Sequence, residues 1–327
     1  MQVAKPTIAI VTPALANANN GNWQTARRWA RMLSAAYRTQ IMTHWTGQPA
    51  DLMIALHARR SADSIAAWSK QLVNAPLALV LTGTDLYRDI VSDEQARTSL
   101  QLADRLVVLQ ELGPRMLPAA MRHKTQVIFQ STGARRTLPK TPLRLRALMV
   151  GHLRSEKSPE TLFKAARILA ERDDILLDHV GAPLDPALAA QARATMADCP
   201  HYRWLGALSH AQTLKRIQRA HVLVHASRME GGAHVVLEAV RSGTPVLASR
   251  IDGNVGMLGA HYRGYFRWGN AAQLAAMLVQ CRDTQSASGG LLARLGAQCA
   301  QRAPLFDPAS ESAALRTLVR DLLGGGH

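Results

Sequence analysis

Two carboxylates, Glu230 and Glu238, stand eight residues apart in the segment 227–240, Ser-Arg-Met-Glu-Gly-Gly-Ala-His-Val-Val-Leu-Glu-Ala-Val. Paired carboxylates at this spacing suit a ligand with two hydroxyl-bearing parts. Gly231 and Gly232 let a backbone approach such a ligand closely, and the apolar run Ala233 to Val240 reads as a buried helix. Eight helical residues rise about 12 Å, roughly the distance from sugar to ribose in a nucleotide sugar. On this reading Glu230 lies on a loop, Glu238 projects from the helix, and the helix N-terminus between them suits a diphosphate. The same spacing also fits a surface loop followed by a helix with one exposed Glu.

The continuation is Arg-Ser-Gly-Thr-Pro-Val-Leu-Ala-Ser, 241–249. Gly243 ends a helix, Pro245 prevents its restart, and Val246 to Ala248 is a short buried strand. The Glu-x7-Glu motif, the Gly-Thr-Pro-Val turn and the strand in this order resemble the GT-B glycosyltransferases of the family 4 type. The resemblance implies a nucleotide-sugar donor bound by the C-terminal half. Family members hold the donor diphosphate with an Arg and a Lys five residues apart. Here Lys157 matches the Lys of Val-Gly-His-Leu-Arg-Ser-Glu-Lys (150–157), while His152 stands at the Arg position and Arg154 is a candidate replacement. Trp204-Leu205-Gly206 and Val180-Gly181-Ala182 match segments that contact base and ribose, with Gly206 assigned to the donor.

Acceptor residues belong to the other half, where family members differ. In the polar loop 13–23, Gly21 and Asn22 match a Gly-containing turn beneath the donor phosphate, with Asn20 beside the acceptor and a helix beginning near Gln24. His57, Arg59 and Arg60, after a strand, form a candidate anion pocket, because ligands bind at the carboxyl ends of such strands. The loop Thr82-Gly83-Thr84-Asp85 stands where the family often carries a catalytic His, and Gln130-Ser131-Thr132 replaces its Asn-Gly-Val loop.

Taken together, Asn-Asn-Gly-Asn-Trp-Gln-Thr-Ala, Leu-His-Ala-Arg-Arg-Ser, Leu-Thr-Gly-Thr-Asp-Leu-Tyr-Arg-Asp and Ser-Arg-Met-Glu-Gly-Gly-Ala-His look like the selenosugar synthases (SenB type) of bacterial selenoneine biosynthesis. That branch implies UDP-GlcNAc as donor, selenophosphate as acceptor, a carbon–selenium bond at the anomeric carbon and later loss of phosphate. A selenophosphate selenium is already ionised, so its attack needs no base. The roles implied are Glu238 on the ribose, Lys157 and Arg154 on the diphosphate, and Glu230 with the 231–233 backbone on the sugar, without a metal or other cofactor. A hydroxyl-acceptor glycosyltransferase and a UDP-sugar epimerase on the same fold stay open.

These loops need a scaffold, and apolar runs supply it. Strands are expected at Thr7 to Val11, Gln40 to His44, Leu52 to His57, Leu77 to Thr82, Arg105 to Leu109 and Gln126 to Phe129. A second series comprises Ala147 to Val150, Ile175 to Val180, His201 to Leu205, Val222 to His225, Val246 to Ala248 and Tyr265 to Arg267. Strands alternating with helices imply parallel sheets. The expected fold class is α/β, two Rossmann-like domains facing across a cleft: residues 1–140 for the acceptor and 146–305 for the nucleotide sugar. A linker near Gly133 to Leu145 joins them, and a C-terminal helix, 308–323, packs back on the first. No GxGxxG follows the first strand, against a nicotinamide enzyme.

At 327 residues the chain suits two domains of about 150 residues. Cys199, Cys281 and Cys299 lack metal spacing and suggest a reducing compartment. Thr7 to Val11 and then Ala14-Leu15-Ala16 imitate a signal peptide, but the apolar run is five residues long and is broken off by Pro13. A buried strand and a cytoplasmic protein are therefore expected. No stretch approaches the ~20 apolar residues of a membrane span. The net charge of +16 invites a nucleic-acid reading, yet aromatics are 5% and the arginines form no stripe, so no nucleic-acid partner is expected. Such charge also draws nucleotide diphosphates and small phosphorylated anions.

Overall fold

The computed structural model describes residues 5–15 and 21–325. Asn20, one of the expected acceptor residues, lies outside them.

The chain forms two compact units, one of residues 1–131 with 308–327 and one of 132–307. In the first, β1 (Thr7–Val11) leads to α1 (Gly21–Leu33), β2 (Arg38–Met42), β3 (Leu52–Leu56), α2 (Ala62–Gln71) and β4 (Leu77–Leu81). After a π-helical turn, Asp85–Asp89, come α3 (Ile90–Ser92), α4 (Glu94–Leu102), β5 (Arg105–Val108) and β6 (Thr125–Val127). The sheet is parallel, in the order β2-β1-β3-β4-β5-β6. Both faces are covered, so β3 and β4 are apolar throughout, as buried parallel strands must be. Alternate residues serve alternate cores. Ile8, Ile10, Ile54 and Val80 pack with Trp29 of α1 and with Leu315, Leu318 and Val319, whereas Ala9, Met53, Leu79 and Val108 pack with Trp68 and Leu100.

The second unit runs β7 (Leu145–Val150), α5 (Glu160–Ile168), β8 (Ile175–Val180), α6 (Pro186–Asp198), β9 (Tyr202–Trp204), α7 (His210–Arg219), β10 (Val222–His225), α8 (His234–Arg241), β11 (Val246–Ser249), α9 (Asp252–Leu258), β12 (Tyr265–Phe266), α10 (Ala271–Asp283) and α11 (Leu291–Arg302). Its parallel sheet is ordered β12-β11-β10-β7-β8-β9, a Rossmann arrangement. The last helix, α12 (Pro308–Gly324), belongs to the first unit.

Several strand ends differ from expectation. His57 is not part of β3: its φ of 78° turns the chain out of the sheet in a left-handed conformation. β2 lies two residues earlier than expected, because its pairing with β1 places Arg38 opposite Thr7. The segment read as a linker packs on the second unit instead. Arg135 N–H donates to Arg241 C=O at 2.9 Å, Leu138 N–H to Gln218 C=O at 3.3 Å, and Thr137 Oγ1 to Ser242 C=O at 2.9 Å. Gly243 has φ 68°, the left-handed stop that the turn after α8 requires.

Candidate functional site

In an open α/β sheet, ligands bind beyond the carboxyl ends of the strands where the strand order reverses. In the second unit that point lies between β7 and β10. The loop after β7 carries His152, Arg154 and Lys157; the loop after β10 carries Ser227 to Ala233 and opens α8.

Lys157 ends a short 3-10 turn, Ser155–Lys157. Its stem lies over Gly151, where an added Cβ would stand 3.3 Å from the Lys157 side chain. Glu156 C=O accepts from Arg228 N–H at 2.9 Å, and Ser158 Oγ from Trp268 Nε1 at 3.0 Å. Thus fixed, Lys157 Nζ meets Glu230 Oε1 at 2.5 Å, and His225 Nε2 stands 3.4 Å from the same oxygen. Burial alone would favour the neutral acid at Glu230. The Lys157 charge and His225 outweigh it and hold the carboxyl well below the usual carboxylate range. Behind the loop, Gly253 touches the Glu230 carbonyl so closely that a Cβ there would collide with it.

Glu238 is buried rather than exposed. Its Oε1 receives His210 Nε2 at 2.6 Å and His234 Nδ1 at 3.1 Å. Burial again favours the neutral form, but these hydrogen bonds prevail and lower the carboxyl to about 2. Both glutamates are therefore ionised, each with one oxygen held by two nitrogen groups. Among the described residues no hydrogen bond reaches either Oε2. The helical-rise argument does not hold as stated: α8 starts at His234, so only the last half of the spacing is helix.

His152 Nδ1 accepts Ala182 N–H at 3.0 Å, which leaves the ring proton on Nε2 as a donor. Burial, Arg154 and Lys157 all lower its pKa, keeping the ring neutral. Arg154 is exposed, and of these two cations it is Lys157 that pairs with Glu230. Gly181 abuts the Gly151 carbonyl too tightly for any Cβ, and its N–H donates to Gly206 C=O at 2.8 Å, with Gly206 at φ 68°. Gly231 and Gly232 lie in the bend before α8. Ala233, expected to offer its N–H to the sugar, donates it to Met257 Sδ at 3.2 Å.

The first unit's reversal lies between β1 and β3. Here lie the residues of the expected anion pocket. Arg59 pairs with Asp93 at 3.0 Å, and His57 is buried within 3.8 Å of Asp89. His57 Nδ1 accepts Arg60 N–H at 3.3 Å, and Nε2 lies 3.2 Å from Thr84 Oγ1. Burial, its largest influence, lowers the His57 pKa. Asp85 ties the two loops together, accepting Thr82 N–H at 3.0 Å, Gly83 N–H at 2.8 Å and Ala58 N–H at 3.1 Å. His57, Thr82, Gly83 and Thr84 are therefore neighbours, and Arg60 is exposed beside them. Gly21 and Asn22 are the first turn of α1, not loop. Among the described residues no group of three or more His, Cys, Asp or Glu is placed to hold a metal, and no helix is long and apolar enough to cross a membrane.

Comparison with known proteins places this geometry. Residues 134–280 match the family described as Glycosyl transferases group 1. The solved structure of sucrose-phosphate synthase from Thermosynechococcus elongatus superposes with a TM-score of 0.76 at 18% identity, covering 98% of this chain and 100% of that one. The fold is GT-B. Anabaena HepE in complex with UDP-glucose is similar at a TM-score of 0.73 and 14% identity, over 97% of this chain and all of that one. D-inositol 3-phosphate glycosyltransferase of Streptomyces scabiei (strain 87.22) is 30% identical over 180 residues, 51% of this chain. The chain spans 39% of that relative's length. The GT-B frame thus confirms the expected fold class and puts Lys157, Glu230 and Glu238 in the half that matches the glycosyltransferase family.

Sequence reading missed His225, His210 and His234. His234 lies four residues before Glu238, a spacing that puts both on one helix face. His210 is 28 residues away and only the folded chain brings it in.

Proposed function

We propose that this chain is a nucleotide-sugar-dependent glycosyltransferase working as a selenosugar synthase, which transfers GlcNAc from UDP-GlcNAc to the selenium of selenophosphate. The observation that carries the donor half is the pair of ionised glutamates at the β7–β10 reversal, each presenting one oxygen free of protein donors among the described residues. Glu238 accepts a ribose hydroxyl and Glu230 a sugar hydroxyl. Lys157, Arg154 and the Nε2–H of His152 meet the diphosphate.

In the reaction, a selenium lone pair attacks the anomeric carbon while the carbon–oxygen bond breaks and its electron pair leaves with UDP. Cations already in place stabilise the growing negative charge without reorganising. Water then cleaves the selenium–phosphorus bond, releasing phosphate and the selenosugar. The first unit supports an acceptor that needs no base. The His57 Nδ1 lone pair is occupied by Arg60 N–H, so the ring proton sits on Nε2 beside Thr84 and neither nitrogen is vacant to take a proton. Arg60, Thr82, Gly83 and Thr84 are the candidate acceptor contacts, whereas Arg59 is drawn toward Asp93.

The test is incubation with UDP-GlcNAc, with and without selenophosphate, and detection of products by mass spectrometry. UDP and a selenium-containing sugar should form only when selenophosphate is present. Transfer to an added hydroxyl compound without selenium would replace this reading with a conventional glycosyltransferase. Conversion of UDP-GlcNAc with no acceptor would point to an epimerase.

A further inference from the structure

Glu238 is held from two sides by imidazoles of unlike character. His234, on α8 itself, approaches Oε1 at 3.1 Å, and its side chain is 34% exposed. His210, the first residue of α7, approaches the same oxygen at 2.6 Å, yet its side chain is 66% exposed. A group that makes the shorter contact while standing mostly in solvent is the one that can leave. His234 is tethered by the helix it shares with the carboxylate. His210 sits at the start of its helix, where the Ser209 capping box fixes the backbone but not the ring.

A vicinal diol such as that of ribose is bound best by both oxygens of one carboxylate. In the structure, only Oε2 is available while His210 and His234 share Oε1. We propose that His210 is a displaceable positioning residue: it holds Glu238 in the empty site, and the donor's ribose displaces it from the carboxylate on binding, while His234 remains. This rests on the donor reading above and extends it to the way the site recognises the ribose.

Charge gives the proposal a sign. The groups facing His210 are Glu238, which raises its pKa by hydrogen bond and charge, and Arg135 of the segment before β7, which opposes it. Facing Glu238 are His210 and His234. Protonated His210 grips Glu238 more strongly than neutral His210 does. In the free protein its pKa stands above the ordinary imidazole value of about 6.5. Once displaced it loses that support and its pKa falls, so donor binding releases a proton. Donor affinity must then rise with pH through the range at and just above the ordinary imidazole value, and it must weaken as pH falls and the cation holds its partner.

UDP-GlcNAc is the suitable probe, because its diphosphate is esterified at both ends and does not titrate near neutrality. Its dissociation constant would be measured by calorimetry between about pH 5.5 and 8.5 for the native protein and for His210→Ala and His210→Gln. The slope in the native protein should shrink in both variants, and at the acid end the variants should bind UDP-GlcNAc at least as tightly as the native protein. In parallel, the His210 ring pKa, tracked by NMR, should fall when UDP-GlcNAc is added. Variants that bind uniformly more weakly with the pH slope intact would make His210 a direct donor contact and overturn the proposal. So would a His210 pKa that is unchanged or rises on binding. UDP-GlcNAc that binds with no difference between native protein and variants sinks this inference alone, whereas a protein that binds no UDP-sugar at any pH sinks the donor reading with it.

Discussion

Lys157 and Glu230 form one unit, and the chemistry of either depends on the other. Glu230 is held ionised by Lys157 and His225, so removing Lys157 leaves a largely buried carboxylate with weaker support and, on the proposed reading, deprives the leaving diphosphate of a fixed cation. Lys157→Ala should lower turnover by about 10²–10³-fold, the range found when one preorganised charge-stabilising donor is removed. Glu230→Gln keeps the shape but loses the charge that anchors Lys157, and should cost about 10²-fold through misplacement of sugar and cation. Steady-state kinetics with UDP-GlcNAc checks both, and near-native turnover in Glu230→Gln would remove this residue from the proposed donor site. That Glu230 and Lys157 would be brought together was legible in the sequence only in part: the two glutamates stand out by their spacing to the glycines and the following strand, and Lys157 by its match to the family's Lys position. The imidazoles that set their charge state were not legible: His210 comes from another helix, and His225 lies in an apolar strand where it reads as core.

Elements were legible for a related reason. Parallel strands buried on both faces must be largely apolar, so β3 and β4 stand out as unbroken runs. Their ends were less legible, because a left-handed residue such as His57 carries no apolar signal. The contact that ties α12 to the first unit was invisible as well. Glu311, buried in α12, accepts Arg28 Nε at 2.8 Å, Trp29 Nε1 at 2.7 Å and Ser131 N–H at 2.9 Å. These donors come from α1 and from the end of the β6 segment, so one carboxylate fastens three stretches distant in sequence. Ser131, read as a departure in an acceptor loop, is thus a ligand of Glu311, and neighbouring Gln130 donates to Thr25 Oγ1 at 2.5 Å. Glu311→Ala leaves the Arg28 charge and the indole N–H without their partner. It should destabilise the protein by about 3–5 kcal/mol, the usual cost of breaking a buried pair. Chemical denaturation monitored by Trp fluorescence reads this directly, and a loss under about 1 kcal/mol, the scale of an exposed pair, would show the cluster to be dispensable.

At the scale of the whole molecule, the excess of 39 Lys and Arg over 23 Asp and Glu has to be explained by something other than the fold. Neither core uses it, since among the described residues the buried ion pairs are few and each cation in them has its carboxylate. An excess of this size raises the local concentration of anions and steers them toward the surface, an effect that salt screens beyond about 10 Å at 0.1 M. On the proposed donor reading, the surplus cations are expected to act on the donor's approach as well as on its bound state. The association rate of UDP-GlcNAc should fall about tenfold between low salt and about 0.5 M salt, because steering contributes at least that factor when it operates. Uridine, which carries no charge, supplies the control: its association should hardly change over the same range. Stopped-flow measurement of both separates the two terms, since dissociation rates report contacts and association rates report the field. Equal salt sensitivity for uridine and UDP-GlcNAc would mean that salt acts on the protein and not on the donor's charge, and the surplus of basic residues would then have no part in capturing the substrate.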